Sequence, residues 1–114
     1  MRHDHAAELK LAASRLDGTA KHTQIIASPV LSEMTGHTIL LKPENLQVTG
    51  SFKIRGAYNK IASLTDEELE RGIVTASAGN HAQGVAYAAR ERGAKATILM
   101  PEITPPLKVD ATKA

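Results

Sequence analysis

The sequence predicts an α/β fold of parallel-sheet units with flanking helices, and three observations predict it. A short apolar run, Ile73-Val74-Thr75-Ala76, precedes a helical pattern from His81 to Arg92, which leads into a second run from Ala96 to Met100. Gly72 and Gly93 punctuate the joins. The turn between the first run and the helix is rich in Ser, Gly and Asn. A crossover long enough to hold a helix returns the chain in the same direction, so the two strands are expected to be parallel neighbours.

The other elements follow in order. Between Asp4 and Leu16, the residues Ala6, Leu9, Ala13 and Leu16 recur at steps of three and four, the mark of an amphipathic helix, with Asp4 to cap it and Gly18 to end it. Pro29 to Gly36 reads as a short helix with proline in its first turn and glycine at its end, followed by strand-like Thr38 to Lys42. A loop is expected from Pro43 to Gly50. Ser51 sits where an N-cap should, ahead of Phe52, Ala57, Tyr58, Ile61 and Leu64, and Thr65-Asp66-Glu67-Glu68 has the form of a capping box that opens the next helix. In the helix from His81, the stripe of Ala82, Val85, Ala86 and Ala89 is expected to pack against the sheet. Pro105 to Ala114 reads as a helix starting at a proline. Three strands at most make a thin core for an independent α/β protein, because a parallel sheet needs both faces covered. The expectation is that residues 1–114 are a fragment of something longer.

Composition narrows the function classes. The chain has 114 residues, 14 Lys and Arg against 12 Asp and Glu, and is 42% hydrophobic, which excludes a disordered tail. The pI is near 9.0, but the charges are interleaved and Phe52, Tyr58 and Tyr87 supply all the aromatics, which argues against nucleic acid. The absence of cysteine excludes disulfides, thiolate metal sites and a thiol nucleophile. No apolar stretch approaches the roughly 18 to 20 residues of a membrane span, and Met1-Arg2-His3-Asp4-His5 lacks the apolar core of a secretory signal. No membrane partner and a cytoplasmic location are expected. His3 and His5 have no third ligand, so no metal site is expected; His22 and His37 read as exposed loop residues, and Arg90 to Arg92 as a solvated helix end.

Two segments have chemical potential. In Gly50-Ser51-Phe52-Lys53-Ile54-Arg55-Gly56, a lysine occupies the first turn of a helix, facing the positive end of the helix dipole where acids are preferred. That placement suits an amine that works as a nucleophile, and such lysines form Schiff bases with carbonyl compounds, pyridoxal phosphate included. A surface lysine that merely tolerates the site is the plain alternative. In Ser77-Ala78-Gly79-Asn80-His81-Ala82-Gln83-Gly84, a turn follows the carboxyl end of a buried-type strand, where α/β proteins bind ligands. Its backbone N–H groups with the Ser77 and Asn80 side chains suit a carboxylate or phosphate. An ordinary turn with Asn80 as cap is the alternative. The segment is neither a P-loop nor a dinucleotide fingerprint.

Together the two segments are more specific than either alone. With Lys42-Pro43-Glu44-Asn45-Leu46-Gln47-Val48-Thr49 leading into the first, and Ile98-Leu99-Met100-Pro101 and Lys108 after the second, the chain resembles the serine/threonine dehydratases (threonine ammonia-lyases) of the fold-type II pyridoxal-phosphate enzymes. The resemblance covers nearly the whole chain and implies that residues 1–114 are the N-terminal part of a longer catalytic domain of tryptophan-synthase-β-like architecture. It implies that Lys53 is the Schiff-base lysine, that Phe52 packs near the cofactor ring, and that Asn80 hydrogen-bonds the cofactor's 3-hydroxyl oxygen. Ser77, Ala78, Gly79, Asn80 and His81 would grip the substrate carboxylate. Lys53 would also be the general base that takes the α-proton of serine or threonine, giving pyruvate or 2-oxobutanoate with ammonia. The setting implied is amino-acid metabolism, such as isoleucine biosynthesis, with a homo-oligomer in the full-length family.

The wording of the motifs discriminates further. Cysteine and threonine synthases tend to show a threonine after Gly-Asn, where this chain has His81. Serine racemases share the histidine but resemble a pattern with a second serine as acid/base on the opposite face of the substrate; Ala78 stands there, and a methyl group cannot transfer a proton. The family usually has Thr-Pro in its first structured segment, whereas Gln24 follows Thr23 here, a difference of local rigidity. In the family the glycine-rich phosphate loop and the group facing the pyridine nitrogen lie beyond the position of Ala114, so the short chain is expected to be incomplete as a catalyst. The rival reading is a non-catalytic remnant that binds a small anion or associates with a full-length dehydratase subunit.

Overall fold

The computed structural model describes residues 4–113. Helix α1 (His5–Leu16) starts at Asp4, whose carboxylate accepts the N–H groups of Ala6 and Ala7 at 3.1 and 3.2 Å. Strand β1 (Ile26–Ala27) pairs antiparallel with β2 (Leu40–Leu41), and between them α2 (Pro29–Thr35) has Ser28 as N-cap and Gly36 in the left-handed region, φ 68°. A 3-10 turn at Glu44–Leu46 lies inside the expected loop. Then come α3 (Lys53–Ala62), α4 (Asp66–Glu70), β3 (Ile73–Ala76), α5 (Asn80–Glu91), β4 (Ala96–Leu99) and α6 (Pro106–Lys113). The capping box is formed: Glu68 N–H donates to the Thr65 hydroxyl and Thr65 N–H to the Glu68 carboxylate.

The expected β-α-β unit is present, with β3 and β4 parallel and in register from Ile73 opposite Ala96 to Ala76 opposite Leu99. The ladder continues past both ends: Ile73 N–H donates to the Lys95 carbonyl at 2.8 Å and Ser77 N–H to the Leu99 carbonyl at 3.0 Å. Side chains alternate in burial along both strands, so Ile73, Thr75, Ala96 and Ile98 are half-buried while Val74 and Leu99 remain exposed.

The core lies mainly between two helices. Ile54, Ala57 and Ile61 of α3 and Ala82, Val85, Ala88 and Ala89 of α5 are buried; Ala57, Ile61, Val85 and Ala88 form one cluster, against which Tyr58, Leu69 and Ile73 pack. The small residues on α5 allow the helix backbones to approach closely.

Several expectations are corrected. Helix α5 as a whole packs chiefly on α3 and only secondarily on the strands, with Val85 of its stripe clustered with Ala57 and Ile61. The described residues hold four strands in two pairs, because Ile26–Ala27 forms a strand too short to show any alternation. Helix α1 buries no residue, and Leu9 is 70% exposed; a polar link from Arg15 Nη1 to Asn59 Oδ1 at 3.2 Å ties it to α3. Among the described residues no helix is long and apolar enough to cross a membrane and no group of three metal-ligating side chains gathers. His3, one half of the His3 and His5 pair, lies outside the described residues.

Candidate active site

Lys53 is the first residue of α3. Phe52 stands in the N-cap position, and the buried Ser51 contributes from one residue further back by accepting the Lys53 N–H at 3.4 Å. Ser51 is therefore not the formal cap, although its hydroxyl still serves the first turn. The Lys53 ammonium lies 5.1 Å from the centroid of the exposed Phe52 ring, a cation–π distance, and takes part in no hydrogen bond or ion pair with another described residue.

The second segment is placed against the first. Ser77, Ala78 and Gly79 form a half-buried turn between β3 and α5. Gly79 holds the N-cap position of α5, and the Ser77 hydroxyl serves the first turn from further back, accepting the N–H groups of Gly79 and Ala82, each at 3.3 Å, so Asn80 is not the cap. Asn80 opens α5 with an exposed side chain that has no hydrogen bond to a described residue, and a Cβ on Gly79 would meet nothing within 4 Å. His81 is exposed and lines a groove of about 430 Å³ between α3, α4 and β3, near Gly56, Lys60 and Thr75. The two segments meet at Gly84, whose Cβ position lies 3.2 Å from the Lys53 carbonyl carbon.

A polar hub fixes the approach to Lys53, and the motif reading assigned it no role. Arg55 donates through Nε and Nη2 to the two Glu44 carboxylate oxygens, both at 2.8 Å, and the buried Thr23 hydroxyl donates to the same carboxylate at 2.6 Å. The Lys42 ammonium and the Arg55 Nη2 donate to the carbonyls of Thr23 and Lys21. The buried Gln47 amide accepts the Lys21 N–H at 2.9 Å and donates to the Lys21 carbonyl at 2.7 Å. The Arg55 hydrogen bonds, and then the Thr23 hydroxyl, hold the Glu44 carboxyl down at about 2 against an ordinary 4.5, overcoming the opposing effect of burial. The signal in the sequence was the charge pair itself, Glu44 and Arg55, but nothing local shows that the two side chains meet.

The Lys53 amine, without an ion pair to a described residue, thus stands beside an exposed ring, and a close contact joins its helix to the one that follows the Ser77–Gly79 turn. The chain belongs to the family described as pyridoxal-phosphate dependent enzymes, whose pattern matches residues 16–114. It is 57% identical over 106 residues to an L-threonine ammonia-lyase of Thermotoga maritima, a match that covers 93% of this chain and 26% of that protein. Among solved structures, a maize serine racemase superimposes with TM-score 0.90 at 39% identity over 94% of this chain and 32% of that one. The processed form of threonine deaminase isoform 2 from Solanum lycopersicum gives 0.81 at 38% identity, over 97% and 32%. The chain thus spans about a third or less of the relatives it matches, and the mixed α/β arrangement is that of part of a fold-type II enzyme.

The residues present suit pyridoxal phosphate, the cofactor of this family. The Lys53 amine can hold a carbonyl carbon covalently, the Phe52 ring can cover an aromatic face, and the uncommitted Asn80 amide can donate to a ring oxygen.

Proposed function

We propose that this chain carries the lysine-bearing part of the active site of a threonine/serine dehydratase, which converts L-threonine to 2-oxobutanoate, or L-serine to pyruvate, with release of ammonia. The observation that carries this reading is the contact of Gly84 with the Lys53 peptide, which brings the two motifs into one site. Because the chain spans 26% of the Thermotoga relative, the activity is proposed for the complete catalytic domain and the part-site for this chain.

Pyridoxal phosphate, when bound, supplies an electron sink for the charge left at the substrate α-carbon. Lys53 would hold it, and the Lys53 amine in its neutral form would take the α-proton as general base. Asn80 would hold the ring through its oxygen and Phe52 would cover one face. Ser77, Ala78, Gly79, Asn80 and His81 receive the substrate carboxylate, mainly through backbone N–H groups at the start of α5, where the helix dipole favours an anion. Ala78 offers no proton to the opposite face, which favours elimination over racemisation. A cytoplasmic location and homo-oligomeric assembly belong to the same reading.

The test is to add pyridoxal phosphate to the purified chain, record the visible spectrum, reduce with borohydride and locate the adduct by mass spectrometry beside a Lys53→Ala control. An adduct at Lys53 that the control lacks is expected, and it warrants turnover assays with threonine and serine. No adduct, or equal labelling of the control, overturns the part-site reading: this chain then carries the family's sequence without holding the cofactor at Lys53.

A further inference from the structure

We propose that Gly84 is a positioning residue for Lys53: the missing side chain sets the separation between the lysine and the Ser77–His81 turn. The inference rests on the reading of Lys53 as cofactor anchor. A Cβ at Gly84 would lie 3.2 Å from the Lys53 carbonyl carbon, 3.3 Å from its oxygen and 3.3 Å from the Ile54 nitrogen. All three are backbone atoms of the first peptide of α3, so no side-chain rotation can relieve the contact. Something larger must move one helix against the other.

Neither side can absorb that shift locally. On the α3 side Ile54 is fully buried, and Arg55 is held by Glu44 at 2.8 Å. On the α5 side Ala82 and Val85 are 0% and 5% exposed, and the turn is tied through Ser77 to its own helix and to β4. Packed interiors transmit such strain instead of dissipating it. Gly84 therefore lies between two rigid parts of the site, one bearing the amine and the other the carboxylate-binding turn.

A purely structural role predicts something else, namely that overpacking anywhere along the α3 and α5 contact has the same result. Ala88, buried in the same cluster with Ala57 and Ile61, supplies the comparison, since it lies one helical turn further from Lys53. The experiment uses the full chain with Gly84→Ala, Gly84→Val and Ala88→Val. It measures the unfolding midpoint, the pyridoxal phosphate concentration for half-maximal borohydride-trapped adduct at Lys53, and the absorption maximum of the bound cofactor. Displacements well below 1 Å matter at this level, so Gly84→Val is expected to raise the half-saturating concentration about tenfold and shift the band. Gly84→Ala should follow in the same direction with a smaller change, and Ala88→Val should lower the unfolding midpoint while leaving both cofactor readouts near wild type.

Equal loss of trapping in Ala88→Val and Gly84→Val at equal loss of stability overturns the proposal. If Gly84→Val does not fold, Gly84→Ala decides, and trapping and band unchanged from wild type overturn it. Failure of the wild type itself to form an adduct at Lys53 sinks the anchor reading and the positioning role together, whereas a normal wild type with unaffected Gly84 variants sinks the positioning role alone.

Discussion

The pair α3 and α5 and the amino-terminal arm from α1 to β2 are held in different ways. The helix pair closes over Ile54, Ala57, Ile61, Ala82, Val85, Ala88 and Ala89. Helices α1 and α2 bury no residue, and the segment between them is pinned by the Thr23 hydroxyl, which donates to Glu44, and by the Lys21 carbonyl, which accepts from Gln47 and Arg55. Apolar packing is non-directional and brings the two motifs together, whereas the charged hub is directional and fixes the loop that leads into Lys53. The candidate site lies where these two kinds of restraint overlap.

The sharpest challenge to that contrast is Ile54→Ala. Removing a fully buried side chain from the helix contact is expected to cost about 2–5 kcal/mol of unfolding free energy, measured by urea titration. A loss below about 1 kcal/mol would mean that the helix pair collapses around the gap and is not the rigid part of the molecule.

Next comes Glu44→Gln, which keeps the shape of the hub and removes its charge. An expected loss of about 1–3 kcal/mol reflects the charged hydrogen bonds to Arg55. Since the folded-state carboxyl is held at about 2 and the ordinary value is 4.5, the contribution is fully present above 4.5 and disappears as pH falls from there toward 2. Unfolding midpoints measured across that window should fall for wild type and change less for Glu44→Gln; parallel curves would show that the hub contributes no pH-dependent stability.

The smallest effect belongs to Leu9→Ala in α1. With 70% of Leu9 exposed, the change should stay within about 0.5 kcal/mol. A larger loss would show that the arm is packed after all.

Local physics explains which features were legible in the sequence. The strand, helix and strand from Ile73 to Leu99 were readable because their periodicity and bounding glycines are contiguous in the chain, and the Asp4 cap and the Thr65 capping box because each closes within three residues. Lys53, Ser77 and Asn80 stood out first by their places at helix starts, and the resemblance then implied their roles. Hidden from such reading were relations across long separations: the Arg55 to Lys21 bond spans 34 positions, and the contact of Gly84 with Lys53 joins different helices. The exposure of α1 was hidden for a related reason, since periodicity marks an apolar face without showing whether anything covers it.

Strand β4 contains none of the residues given a chemical role, yet its Leu99 carbonyl takes the Ser77 N–H at 3.0 Å as the next rung after Ala76 opposite Leu99. The alignment of the ladder is therefore inherited by the turn. A slip of one residue in β4 would carry Ser77 along by about 3.3 Å and turn the strand's inward side chains outward. Ile98, half-buried opposite Thr75, opposes that slip, so a hydrophobic side chain on a silent strand acts as the indexing pin for the candidate site at the end of its neighbour.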